Sequence, residues 1–156
     1  MTATAVIKSL FENIIFLSTA SSWCVAQFIK MLINLLTQKS KNPREVIETV
    51  LWRTGGMPSS HSAVVCSLST SVCIVEGISD LFVLCLVFSL VVLRDALGVR
   101  RAAGLQARAL NNLGRQTAEK TGIEFHPVKE IQGHSPLEVL VGALLGIFIA
   151  AGFSLL

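Results

Sequence analysis

Three histidines stand in the 156-residue chain, and two of them open apolar runs. His61 lies in GGMPSSHSA, Gly55 to Ala63, where two glycines and a proline shape a turn and serines follow at a helix start. The free N–H groups and the positive dipole end of such a helix attract an anion. Ser59 and Ser60 are therefore candidate phosphate ligands, and the imidazole beside them could give a proton to a leaving-group oxygen. The plainer alternative is a serine that caps the helix and a histidine that faces interfacial water. His134 lies in GHSPLEVLVGALLG, Gly133 to Gly146. Ser135 fits an N-cap, Pro136 the first helical position and Glu138 the third, which makes a capping box. That pattern accounts for Glu138 without any chemistry, but it does not account for His134. His126, followed by Pro127 in a polar segment, reads as exposed.

Cations gather in the same regions. Arg100 and Arg101 follow Gly98, where an apolar run ends, and an arginine fork suits phosphate oxygens. Asp95, near the membrane boundary, is costly unless paired, and Arg94, Arg100 or a histidine could pair with it as a structural or an orienting contact. Lys30, inside an apolar run, either snorkels to the surface or points into a site. Arg53 and Lys129 add positive charge next to the two histidine segments. The set suits phosphoryl transfer. One histidine attacks phosphorus and the other protonates the leaving oxygen, while arginines and backbone N–H groups hold the equatorial oxygens. Such chemistry needs no cofactor, and there is no obvious carboxylate cluster for a metal. Cys24, Cys66, Cys73 and Cys85 lie in apolar stretches without CxxC spacing, so they read as small buried hydrophobes.

Composition says what must carry these residues. Hydrophobic residues make up 52% and charged residues 15%, against about 25% charged in an average soluble domain. Mean hydropathy is +0.66. A chain this short has too little interior to hide so much apolar surface. The expectation is one integral membrane domain, residues 1–156, all-α. A net charge of +3 does not suggest nucleic acid as a partner. Crossing a hydrocarbon core takes about 20 helical residues, which predicts four transmembrane helices at about 13–36, 60–76, 80–98 and 136–156. The second is short and serine-rich, so it belongs inside the bundle. The N-terminus lacks a basic start and a cleavage site, so the first apolar stretch is expected to stay as a membrane helix. Arg101, Arg108 and Arg115 recur every seven residues, with Ala103, Ala107, Leu110 and Gly114 on another face. The spacing predicts an amphipathic interfacial helix over 99–118, followed by a mobile loop. Gly142 and Gly146 form a GxxxG that reads as packing within the chain, with a homodimer face as the alternative. Four crossings put both long polar connections, with ten of the thirteen basic residues, on one side. The positive-inside rule makes that face cytoplasmic and both termini external.

GGMPSSHSA, DALGVRRAAGLQA and GHSPLEVLVGALLG, in this order, resemble the divergent branch of the PAP2 family, related to acid phosphatases and vanadium-dependent haloperoxidases. The resemblance covers about residues 20–150. It implies a helical-bundle membrane phosphatase with His61 as general acid, Ser60 standing where the family's P-S-G-H motif has glycine. It implies His134 as nucleophile, with Glu138 in the place of the orienting aspartate. Six residues before His134, where the family motif has arginine, this chain has Val128. The K-x6-R-P motif has no clean match, and Lys30 or Arg53 stands in for parts of it. The implied function is hydrolysis of a prenyl or diacylglycerol-type lipid phosphate or diphosphate through a phosphohistidine. The membrane expected is a bacterial plasma membrane. The competing readings are a non-catalytic binder of phosphate headgroups, a small transporter subunit, and a purely structural bundle.

Overall fold

The computed structural model describes residues 2–37, 56–130 and 133–155. Its helices are α1 (Ala3–Glu12), α2 (Ile14–Leu36), α3 (Ser60–Glu76), α4 (Asp80–Leu97), α5 (Val99–Thr121) and α6 (Pro136–Phe153), with no strand among the described residues. Their starts are chemically marked. Asn13 separates α1 from α2, and its side chain accepts from the Phe16 amide at 3.0 Å. Ser79 caps α4 by accepting from Phe82 N at 3.2 Å. Gly122, at φ 71°, ends α5 in the left-handed region that suits glycine.

Helices α2, α4 and α6 have the length and hydropathy to cross a membrane, and α3 is a shorter apolar helix of 17 residues. At 1.5 Å per residue α3 spans about 26 Å. It packs against α2, α4 and α6. The bundle is polar inside and apolar outside: α3 buries Ser60, Ser62, Ser67, Ser69 and Ser71, whereas Phe28, Leu84 and Phe148 are exposed on the outer helices. Between helices in lipid there is no hydrophobic drive, so small side chains and hydroxyl hydrogen bonds bring them together. Ser18 of α2 meets Ser71 at 2.6 Å. Ser89 of α4 meets Ser69 at 2.7 Å and also donates to the Val65 carbonyl at 2.9 Å.

Gly142 and Gly146 are buried where α6 crosses α3. A Cβ at Gly142 would run into the carbonyl oxygen of Ser59, and one at Gly146 into that of Ala63. The GxxxG is thus filled within the chain. A homodimer through this pair has no free face to use.

One expectation is corrected. Residues 122–130, read as a mobile loop, form an extended strap docked back onto α5. Asn111, buried to 2% exposure, grips both backbone groups of Val128: its Oδ1 accepts from Val128 N and its Nδ2 donates to Val128 O, each at 2.9 Å. Its Nδ2 also donates to Glu130 at 3.0 Å. The Phe125 ring lies on Gly114, where a Cβ would collide with it, and Gly133 lies on the backbone of Arg101. A polar sequence with no periodicity gave no sign of this, because the anchor is one asparagine on the partner helix.

Candidate functional site

The C-terminus of α4 and the N-termini of α3 and α6 meet at one end of the bundle. Ser59 N donates to the Glu138 carbonyl at 3.0 Å, tying the chain before α3 to the first turn of α6. The Ser59 hydroxyl accepts from Ser62 N at 3.4 Å and from Ser62 Oγ at 2.9 Å. Ser59 is therefore a cap and a packing residue, fully buried, with its polar atoms engaged. Ser60 is also buried.

His134 is 3% exposed, and its Nδ1 lies 2.9 Å from Glu138 Oε2. The same carboxylate oxygen accepts from Ser135 N at 3.2 Å, while Ser135 Oγ accepts from Glu138 N at 3.3 Å. The capping box is thus complete, and the residue that closes it also holds the imidazole. With Nδ1–H donating to the carboxylate, the lone pair is left on Nε2, the tautomer a nitrogen nucleophile requires.

Around this pair stand the other charges. His61 is exposed at the mouth and lies near enough to Arg100, His134, Lys30 and Asp95 to feel each of them. Lys30 is buried at 4% exposure on the row Ser18, Ser22, Ala26, Lys30 of α2, within electrostatic reach of Glu138. It points inward and does not snorkel. Arg100, in the first turn of α5, donates from Nε to Asp95 Oδ2 at 2.6 Å. Asp95 thereby fixes the plane of the guanidinium, and the two terminal nitrogens have no partner among the described residues.

Not every sequence candidate joins this group. Arg101 faces outward in the row with Arg108 and Arg115. Lys129 adjoins Val128, which Asn111 holds, while Gly133 sits on Arg101. The ten helical residues from Arg101 to Asn111 span about 15 Å, so Lys129 and Val128 are carried well away from His134. The strap keeps position 128 out of the site, and Arg100 brings a guanidinium near His61 from another segment. Arg53 lies outside the described residues. Asn111 and Gly133, which set the course of the strap toward His134, were not anticipated; a lone buried asparagine has no readable signature.

The fold and this cluster define a class: a small helical membrane protein with two histidines, a buried lysine and a carboxylate-held arginine at one end of its bundle. The chain belongs to the divergent PAP2 family, whose family model matches residues 11–149. It is 36% identical over 154 residues to the uncharacterized membrane protein YuiD of Bacillus subtilis (strain 168), covering 90% of this chain and 93% of that protein. No solved structure matches it. Three apolar helices and this relative make the chain a membrane protein.

Proposed function

We propose that the protein is a lipid phosphatase that works through a phosphohistidine. The observation that carries this reading is the buried His134, held through Nδ1 by Glu138 and within electrostatic reach of His61. In the first step His134 Nε2 attacks phosphorus, the bond from phosphorus to the lipid oxygen breaks, and His61 gives that oxygen a proton. In the second, His61 takes a proton from water as the water attacks phosphorus, and the P–N bond breaks to release phosphate. Glu138 stabilises the charged imidazole. Arg100 and Lys30 offset the negative charge of the transferring group. In this reading Arg101, Lys129 and Ser59 are displaced from direct phosphate contact.

One further observation supports a lipid rather than a water-soluble substrate. The site stands at the end of a membrane bundle, where headgroups lie. An apolar groove of about 350 Å³ also opens between α3, α4 and α6, lined by Cys66, Thr70, Cys73, Phe82, Leu86 and Leu93 among others. Cys66, at its near end, lies about 8 Å along α3 from His61 and about 140° around it, so the groove opens on a different side of α3 from the histidines. We place the site on the cytoplasmic side of a bacterial plasma membrane, from the arginines that follow α4.

The test is phosphate release by the detergent-purified protein from a panel of lipid mono- and diphosphates, with His134→Ala alongside. Release that disappears in the variant supports the reading. Release that survives it removes His134 as nucleophile. No release from folded protein, with headgroup binding retained, favours a non-catalytic binder.

A further inference from the structure

The strap gives α5 three distinct faces. One lies beneath the strap: Asn111 is buried, and Gly104, Ala107, Gly114 and Ala118 at the same helical register are half-buried. A second carries Arg101, Arg108 and Arg115. The third, away from the strap, presents Val99, Ala102, Leu105, Ala109, Leu110 and Leu113, with Leu105 58% and Leu113 62% exposed. The sequence grouped Ala107 and Gly114 with Leu110. The structure separates them, and what remains free is an apolar stripe over residues 99–113, interrupted by the exposed Gln106.

We propose that this stripe lies in the headgroup layer of an anionic phospholipid leaflet, with Leu105, Ala109 and Leu113 toward the acyl chains and the strap toward water. Three observations select that occupant. α5 begins one residue after α4, a helix long and apolar enough to cross the membrane, so it starts at the interface. It packs on no described helix other than α4, so it extends beyond the bundle, above lipid. The arginine row flanks the stripe, and among the described residues only Arg108 is drawn toward a carboxylate, Glu130 at 3.6 Å. An anionic surface complements Arg101 and Arg115. A second copy of the helix packed on the same stripe would bring two like-charged rows together. This arrangement is independent of any catalytic activity.

The test uses the full chain with its native cysteines replaced by serine and single cysteines introduced by Leu105→Cys, Leu113→Cys, Glu124→Cys or Lys129→Cys. Each carries an environment-sensitive dye, and the protein is reconstituted in phosphatidylcholine vesicles with and without an equal part of phosphatidylglycerol. Dyes at 105 and 113 should emit to the blue and be quenched by lipids brominated near the headgroup. Those at 124 and 129 should be quenched by aqueous iodide. Arg101→Gln with Arg115→Gln should weaken the bromolipid quenching at 113 in the anionic vesicles only. Iodide quenching at 105 and 113 in both vesicle types overturns the proposal. So does a blue shift that ignores bromolipid and fades as protein is diluted in lipid, which would identify a second copy as the occupant. Trypsin provides a reading on the chain with its native thiols: the α5 arginines should be cut more slowly in anionic vesicles than after Leu105→Glu with Leu113→Glu. Equal rates overturn the proposal as well.

Discussion

Gly146→Ala tests the packing that brings the two histidine segments together. At this position a Cβ would meet the Ala63 carbonyl oxygen, with the Ser67 amide nitrogen 2.9 Å away, and both are helix backbone that cannot swing aside. Carbon and oxygen need more than 3 Å, so α6 must back off α3 by roughly an ångström. Overpacking of that kind costs about 1–3 kcal/mol, or about 5–150-fold in the folding equilibrium. Gly152→Ala is the control: its Cβ meets nothing within 4 Å. The assay is loss of helical circular dichroism as sodium dodecyl sulfate is added to protein in a mild detergent. Gly146→Ala should unfold at distinctly lower dodecyl sulfate than the parent, and Gly152→Ala should unfold with it. If Gly146→Ala is as resistant as the parent, α6 does not approach α3 as closely as described, and the juxtaposition of Ser59 and Glu138 loses its basis.

Asn111→Ala strips Val128 of both backbone partners, and because Val128 is exposed and water can replace them, each lost hydrogen bond costs about 0.5–1.5 kcal/mol; amide exchange over residues 122–130 should speed up while α3 and α6 keep their protection. Arg100→Gln should raise KM for a lipid phosphate more than it lowers kcat, and Asp95→Asn, which frees the guanidinium without removing it, should give a milder form of the same change. Glu138→Gln should lower kcat on the order of 10²- to 10⁴-fold, the range of a lost proton-transfer arrangement, whereas Ser135→Ala should cost about 1 kcal/mol of stability and leave turnover per folded molecule nearly intact. Unfolding curves and phosphate release, measured on the same preparations, check both.

The helix starts were legible because their signals are local. Ser59, Ser79 and Ser135 cap three helices, and Pro136 with Glu138 completes a motif that sequence spacing alone displays. The choice of α3 as the enclosed helix was legible too, since serines at that density are excluded from lipid by the cost of unpaired hydroxyls. The helix boundary at Asn13 was legible as well, but α1 ahead of it was not, because ten residues before a boundary are too few to show a clear helical period. The strap was illegible for a different reason: its attachment depends on a pairing between Asn111 and Val128, seventeen residues apart. Arg100 and Arg101 were equivalent in sequence. Only the helix register, a turn of about 100° per residue, puts one beside His61 and the other in the outward row.

Glu138 shows why the structural and chemical readings of a motif need not compete. Its Oε2 receives two N–H groups, that of Ser135 and that of His134. The cap contact fixes where the carboxylate stands, because a capping box leaves its third residue little rotamer freedom. A carboxylate so fixed then dictates the imidazole's orientation and tautomer, and neither would follow from a glutamate free to rotate. The glutamine at 138 would keep the cap acceptor but carry no charge to offset an imidazolium. The alanine at 135 would remove one cap bond and leave the charge in place. That opposition lets the two contributions of one side chain be measured separately.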